Sequence, residues 1–410
     1  MSLFSPLTLA NGAVIPNRIA KAAMDEGMAD RDHAPSDELL RLYQAWAEGE
    51  AGLIITGNVM VDARAMTGPG GIVLEDDRHL DRFKSWAQTA RSHGAQAWMQ
   101  INHPGRQMAA ALGQQTLAPS AVALELGAQS GLFPMPKAMT EQDIEEVERR
   151  FVATALLAER AGFTGVEIHA AHGYLLSQFL SPLSNRRQDR WGGSLENRAR
   201  LLLRIVGAVR AAVAPSFALA VKLNSADFQR GGFSAQDAQA VVALLAPLGV
   251  ELVELSGGSY EAPAMMGGTR DERSLAREAY FLEFARDIGK VATMPLMVTG
   301  GIRRREVAEQ VIDSGIAMAG IATALAIEPG LPRNWKLGRA DVPKLKPITW
   351  KNKTLAVSAH MAAVHYQLTR LGRQRRTAPG VSPIWALVLS QVGAQCRSKR
   401  YRRWMERRAA

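Results

Sequence analysis

The feature that most constrains this chain is a repeated alternation of short β-rich runs with amphipathic helical stretches. The candidate strands are Arg18–Met24, Gly52–Val61, Gln96–Asn102, Gly165–Ala170, Ala218–Asn224, Val250–Ser256, Pro295–Gly300 and Ala317–Thr323, and a helical stretch follows each of the first seven. Parallel strands joined by crossover helices produce this pattern, and eight such units suit a closed barrel. Two helix starts carry capping boxes, Thr140-Glu-Gln-Asp143 and Ser234-Ala-Gln-Asp237, in which hydroxyl and carboxylate satisfy unpaired N–H groups. Ahead of the first strand, Leu7 to Ile15 reads as a β-hairpin turning at Asn11-Gly12 and plugging one barrel mouth. The rival, a doubly wound open sheet, calls for G-x-G-x-x-G after the first strand, and the sequence has none there. The expected fold is a (β/α)8 TIM barrel over residues 1–340 with a helical C-terminal extension at 341–410.

Charge sharpens that division. Of the 49 Lys/Arg, 15 fall in 341–410 together with 2 of the 39 Asp/Glu, so the extension carries +13 and residues 1–340 carry −3. The overall +10 therefore gives the main domain no claim on nucleic acid. With 410 residues and 47 % hydrophobic content, the chain can bury a large core. Apolar runs such as Gly52–Ile55 and Ile384–Leu389 are too short to span a bilayer, and the N-terminus lacks the pattern of a secretory signal. The single cysteine, Cys396, excludes an intramolecular disulfide, and the expected location is the cytoplasm.

Barrel enzymes place their chemistry at the C-terminal ends of strands, which selects a short list of residues. Strand four runs into His169-Ala-Ala-His172-Gly-Tyr174. Such a histidine pair can hold a metal or satisfy the core, but no third and fourth metal ligands are evident. Alternatively, two imidazole N–H groups could grip a carbonyl oxygen while Tyr174 supplies a proton. Strand five sets Lys222 on the same face as Asn224. An inward ammonium needs an anion such as a reduced flavin ring or a phosphate; an outward one snorkels to solvent. Strand three presents Gln100, Asn102 and His103, and Gln100 has the donors and acceptors that a pyrimidine-like edge requires. Strand seven closes on Gly300-Gly301 and strand eight on Ala322-Thr323, where backbone N–H groups could approach a phosphate or the glycines could serve packing alone.

These residues resemble a known family. The stretch His169-Ala-Ala-His-Gly-Tyr174-Leu-Leu-Ser-Gln-Phe-Leu-Ser-Pro-Leu-Ser-Asn185, continued by Asp189-Arg-Trp-Gly-Gly-Ser-Leu-Glu-Asn197-Arg198, is similar to the Old Yellow Enzyme family of FMN-dependent NAD(P)H oxidoreductases. Pro16-Asn-Arg-Ile19, Gln100-Ile-Asn-His103-Pro-Gly-Arg106 and Val298-Thr-Gly-Gly301 extend the likeness over residues 3–335. The resemblance implies an ene-reductase: NADH or NADPH reduces FMN, and an α,β-unsaturated carbonyl takes the hydride from N5. It implies that His169 and His172 bind the acceptor oxygen and that Tyr174 protonates the α-carbon. Ala22, Ala23, Met24 and Asp25 would lie along the flavin with Asn58 nearby, Gln100 would read its pyrimidine edge, Lys222 would face N1/O2, and Gly300, Gly301, Ala322 and Thr323 would hold the phosphate end.

Three positions depart from the family pattern. Asp25 stands where many relatives carry a small Thr or Cys, Gly27 where some carry a substrate-contacting Tyr, and Ala322-Thr323 where the family has Gly-Arg. The second widens the pocket and the third removes a guanidinium from the phosphate end. A flavin-binding redox partner or diaphorase without ene-reductase activity is the alternative function, since fold alone does not decide chemistry. A homo-oligomer is expected, and for the extension helices are expected at 351–371 and 383–408, forming a packing arm that can cross to another subunit; the alternative is a surface for anionic membrane or nucleic acid around Trp385 and Leu387, which is not favoured. An ionised Asp25 disfavours electron gain by a nearby flavin. Spectroelectrochemical titration should therefore place the wild-type flavin potential below that of Asp25→Thr, and an equal or higher wild-type potential refutes this reading.

Overall fold

The computed structural model describes residues 2–264, 278–340 and 342–409. Eight parallel strands form the core: β1 (Ile19–Lys21), β2 (Leu53–Ile55), β3 (Gln96–Asn102), β4 (Gly165–Ala170), β5 (Ala218–Asn224), β6 (Leu252–Ser256), β7 (Leu296–Thr299) and β8 (Met318–Ile321). Each pairs with the next; β8 also pairs with β1, so the sheet closes and the open-sheet alternative is excluded. The principal helices packed outside the barrel are α1 (Asp37–Ala47), α2 (Leu80–Arg91), α3 (Glu141–Arg160), α4 (Leu195–Ala212), α5 (Ala235–Leu245), α6 (Leu282–Gly289), α7 (Arg305–Asp313) and α8 (Leu331–Lys336). Both expected capping boxes form, at Thr140 on α3 and at Ser234 on α5.

Strands β3, β4 and β5 match the sequence-based bounds, whereas β1, β2, β6, β7 and β8 are shorter than their expected runs. The run Gly52–Val61 breaks at Gly57, whose N–H donates to Glu26 Oε1 and the Tyr43 hydroxyl, both at 3.1 Å. A Cβ there would collide with the Glu26 carboxylate and the Met24 carbonyl, so the chain leaves the ladder at that point. It then rejoins as Val59–Met60 alongside the end of β3.

The N-terminal hairpin pairs Leu7 with Ile15 and Thr8 with Val14, and its Gly12 adopts φ +83°. Leu7, Leu9 and Ile15 pack against Trp98, Ala218, Ala220, Leu252, Met297 and Met318, sealing the barrel at the N-terminal end of the strands. The lower interior is thus dry and apolar, which leaves the opposite mouth for chemistry.

The C-terminal extension forms α9 (Lys353–Gly372) and α10 (Pro383–Ala409), and its terminal residues Asp341 and Ala410 lie outside the described residues. It folds back over the barrel of its own chain. Arg41 Nε donates to the Gly372 carbonyl at 2.8 Å, and Thr377 Oγ1 to the Ile327 carbonyl at 2.9 Å. Tyr401 donates to the Ala63 carbonyl at 2.8 Å, Trp404 packs 4.4 Å from the His33 ring, and Arg408 pairs with Glu75. These contacts all fall on loops and helices that follow β1, β2 and β8, so the extension crowns the C-terminal mouth. Among the described residues no helix is long and apolar enough to cross a membrane.

Closure between β3, β4 and β5 depends on a missing side chain. A Cβ on Gly165 would sit 2.6 Å from the Ala218 carbonyl and 2.8 Å from the Trp98 ring. Gly165→Ala should therefore cost about 1–3 kcal/mol by overpacking, measured as a shift in the denaturant midpoint; an unchanged midpoint would show that the strands separate freely.

Candidate functional site

At the open mouth, an ion pair at 2.6 Å joins Lys222 of β5 to Glu254 of β6. Both side chains are buried, which rules out the snorkelling reading of Lys222. The partner of its ammonium is thus a carboxylate of the barrel itself, where the sequence suggested a flavin or phosphate. Glu254 Oε1 also accepts from Thr299 Oγ1 of β7 at 2.5 Å, and Gln100 Nε2 of β3 donates to Glu167 Oε1 of β4 at 2.7 Å. Among the described residues the buried Glu167 Oε2 and Glu254 Oε2 meet no N–H or O–H donor, yet the two carboxyls lie within hydrogen-bonding reach of each other. A proton on Glu167 satisfies both. Burial first, and then the Glu254 charge, push the Glu167 carboxyl well above the usual range. Burial opposes ionisation of Glu254 too, but the Lys222 charge and hydrogen bonds from Glu167, Lys222 and Thr299 hold it below the ordinary value.

Next to this cluster stand the two histidines. His169 Nδ1 accepts the Ala171 N–H at 3.2 Å, which places the ring proton on Nε2. His172 Nε2 meets Ser256 Oγ at 2.8 Å, so any contact that ring offers to a ligand is made through Nδ1. His172 has φ +61°, a left-handed conformation fixed by its N–H on Asn224 Oδ1 at 3.0 Å and by Gln107 Nε2 on its carbonyl at 2.9 Å. The following Gly173 has φ +74°, and a Cβ there would press on Gln107 and Ser259. The two rings meet edge-on at 5.1 Å, and Tyr174 lies 4.9 Å from His169 in the same manner. Burial, then His172 and Lys222, lower the His169 pKa far below the ordinary value; burial and Lys222 do the same for His172. Both are neutral donors at physiological pH.

Tyr174 shares a 3.2 Å hydrogen bond with Tyr260, and Asn58 lies within hydrogen-bonding reach of its phenol. Burial, followed by Tyr260 and the Asp25 charge, raises its pKa well above the ordinary value and keeps the proton in place. Asp25 itself accepts the Gly27 N–H at 3.0 Å and faces Arg397 of α10 closely enough to interact with it. A Cβ at Gly27 would lie 3.9 Å from the His365 ring of α9, so the space vacated by the missing side chain borders the extension.

The remaining candidates complete the rim. Ala22, Ala23, Met24 and Asp25 follow β1, and the Ala22 N–H donates to Ile321 at the end of β8 at 2.9 Å. Gly300 and Gly301 follow β7 with φ of +142° and +74°. Ala322 and Thr323 open a short helix after β8. Among the described residues, none of Gly300, Gly301, Ala322 and Thr323 donates a backbone hydrogen bond, so four N–H groups are available to an anion. This donor set fits the phosphate of FMN, and Gln100 and Lys222 offer polar groups further round the mouth. Packing also contributes to the need for glycine: a Cβ on Gly301 would sit 2.5 Å from the Tyr280 ring. The cations closest in sequence, Arg303 and Arg304, are both engaged with Glu278. Among the described residues no His/Cys/Asp/Glu group is arranged to hold a metal.

Sequence reading missed Glu167, Glu254, Ser256, Tyr260, Gln107 and Arg397. Glu167 and Glu254 had a usable signal, a charge inside an apolar strand, the one that drew notice to Lys222. Tyr260 sits in the loop after β6, where barrel chemistry is expected.

Comparison with known proteins follows this geometry. Residues 2–342 match the model of the NADH:flavin oxidoreductase / NADH oxidase family. The chain is 38% identical over 352 residues to the NADH-dependent flavin oxidoreductase iliE of Hypocrea jecorina (strain QM6a), covering 80% of this chain and 87% of that one. The structure of the old yellow enzyme homologue from Zymomonas mobilis superposes with a TM-score of 0.72 at 25% identity, covering 87% and 99%. A 2-naphthoyl-CoA reductase complex gives 0.75 at 26% identity over 82% of this chain, which spans about half (52%) of that protein.

The buried histidines set an acid limit to stability. Burial brings His103 down to about 4 from an ordinary 6.5. Below pH 6.5 the unfolded chain takes up a proton that the folded chain refuses, so stability present above that pH is lost as pH falls toward 4. His103 alone accounts for at most ~3 kcal/mol of this. Urea unfolding between pH 4 and 7 should show a shallower acid slope in His103→Asn than in wild type; equal slopes would place the titration elsewhere.

Proposed function

The chain belongs to the NADH:flavin oxidoreductase / NADH oxidase family, and from that premise we propose that it is an ene-reductase, reducing electron-poor C=C bonds conjugated to a carbonyl. It is an FMN-dependent NAD(P)H oxidoreductase. The observation that carries the finer reading is the convergence of two neutral imidazoles and a protonated phenol at one strand end.

FMN, when bound, supplies hydride at N5, with NADH or NADPH as reductant. His169 through Nε2 and His172 through Nδ1 hold the carbonyl oxygen of the acceptor. Neutral rings suit this task, because they donate hydrogen bonds to charge developing on the oxygen without having to be discharged first. Tyr174 delivers a proton to the α-carbon, and Tyr260, 3.2 Å away, can return one to it. Lys222 and Gln100 would hold the flavin ring, with Ala22, Ala23, Met24, Asp25 and Asn58 lining it, and Gly300, Gly301, Ala322 and Thr323 would hold the phosphate through backbone N–H groups. A pure redox partner has no need of an oriented carbonyl grip, which argues against the diaphorase alternative.

The test is a stopped-flow comparison under anaerobic conditions. Purified yellow protein should bleach with NADH or NADPH and regain colour with 2-cyclohexenone. Tyr174→Phe should slow the recolouring by about 10²–10⁴-fold while bleaching stays within a few-fold of wild type. A protein that takes up no FMN, or that recolours with oxygen but with no enone, ends the reading.

A further inference from the structure

Helix α10 is packed on one side only. Ala386, Ser398, Tyr401 and Trp404 recur at intervals that set them on one face, and all four are buried. Ala386 and Leu387 meet α9 around Ala362 and Ala363, while Tyr401 and Trp404 pack with Met60, Ala63 and Met108 of the barrel. The opposite face carries Ile384, Trp385, Val388, Leu389 and Val392, spaced i, i+1, i+4, i+5 and i+8, each between 41% and 64% exposed. The packing arm and an open apolar stripe are thus two faces of one helix, with Leu387 on the packed one. Single apolar residues on a surface are ordinary, but five along one stripe form a patch of the kind that marks a contact site.

Whatever covers the stripe must also suit the charge around it. Between Val342 and Met405 the chain has no Asp or Glu. Arg375 and Arg376 precede the stripe, and Lys399, Arg402 and Arg403 continue its spacing along the same face, all of them exposed. A second copy of this chain would bring the same cations against them. Nucleic acid offers phosphates but no apolar layer to receive the stripe. An anionic bilayer offers both, with phosphates at its surface and the acyl boundary about 5–10 Å beneath. Among the described residues no helix is long and apolar enough to cross a membrane, so the contact lies in the plane of the surface.

We propose that α10 docks this protein on membranes containing anionic phospholipid, with the apolar stripe in the headgroup boundary and the flanking cations on lipid phosphates. The packed side keeps its contacts, among them Tyr401 to Ala63, so the extension stays folded over the mouth while docked. Docking is independent of the acceptor that the barrel reduces.

FMN-loaded protein is co-sedimented with vesicles of phosphatidylcholine, alone or with roughly one-third phosphatidylglycerol. Binding should be at least about tenfold tighter with the anionic lipid, and should weaken between about 0.1 M and about 1 M salt as the screening length falls from about 10 Å to about 3 Å. The double variant Trp385→Ser, Val388→Ser should lose about tenfold in affinity at low salt, while its bleaching by NADH stays unchanged. Bromine-labelled acyl chains should quench tryptophan emission in wild type, and Trp385→Phe should bind equally well with less quenching. Equal binding to the two kinds of vesicle overturns the proposal. Unaltered binding by the double variant, or equal quenching in Trp385→Phe, overturns it too, since either leaves the stripe in water. Sedimentation velocity that finds a dimer in wild type and a monomer in the double variant, in place of vesicle binding, assigns the face to a second copy. Tighter binding to RNA or duplex DNA than to anionic vesicles assigns it to nucleic acid, and each of these outcomes refutes lipid docking. If the double variant does not fold, Val392→Ser takes its place with the same outcomes.

Discussion

The ion pair between Lys222 and Glu254 is the constraint on which the rest of the mouth depends. In a low-dielectric interior, removing one partner of such a pair costs about 3–5 kcal/mol, since it leaves a buried charge uncompensated. Glu254 also gathers Thr299 and the protonated Glu167, so a single carboxylate ties together β4, β5, β6 and β7. The Lys222 charge reaches further: after burial, it is among the forces that keep both His169 and His172 unprotonated. The same ion pair thus links four strands and adds to the burial that keeps the histidines neutral. It follows that the cluster as a whole carries no net charge, with one ammonium, one carboxylate and one neutral acid. The anionic partner that the sequence reading required for a buried ammonium is present in the barrel as Glu254.

Roofing by the extension adds the second electrostatic element. A segment of +13 folded onto a barrel of −3 is drawn toward the acidic residues around the mouth. Arg373 meets Glu38 and Arg408 meets Glu75, each on a loop or helix that follows an early strand. Arg397 interacts with Asp25, one of the three positions set apart in the sequence comparison above. The Asp25 carboxylate and an arginine from the same chain's extension therefore act on one another, and the second offsets part of the field of the first. Other parts of the extension stay open: Ile384 and Trp385 are 64% and 54% exposed on α10, away from the packed side formed by Ala386 against Ala362 and Ala363.

Much of this architecture was legible in the sequence, and the limits have physical causes. Strands β3, β4 and β5 could be bounded to the residue because their apolar runs coincide with their ladders. At β1, β2, β7 and β8 the chain stays buried after leaving the ladder, so hydrophobicity continues past the last strand pairing and the runs overshoot. The histidine pair, Tyr174 and Lys222 could be found because each is a polar residue at or near a strand's end. Their partners could not, because pairing of Lys222 with Glu254, or of His172 with Ser256, is decided by which strands lie adjacent in the closed ring. Composition showed that the extension was basic and helical, but its place over its own barrel depends on contacts such as Tyr401 with Ala63, made between residues far apart in the chain.

The end proposed for the phosphate shows the same economy of charge in a different form. Where the family pattern has a guanidinium, this chain has Thr323, and Arg303 and Arg304 are already bound to Glu278. The remaining donors are backbone N–H groups from the Gly300-Gly301 turn and from the start of the helix at Thr323. Such donors are fixed partial charges, oriented by the fold and neutral in sum. A phosphate bound by them is recognised through geometry more than through net charge, and partial charges at contact distance are less open to screening by salt than a mobile side-chain cation at the rim. A Cβ on Gly301 would meet the Tyr280 ring, so close packing as well as the φ of +74° requires glycine at this turn.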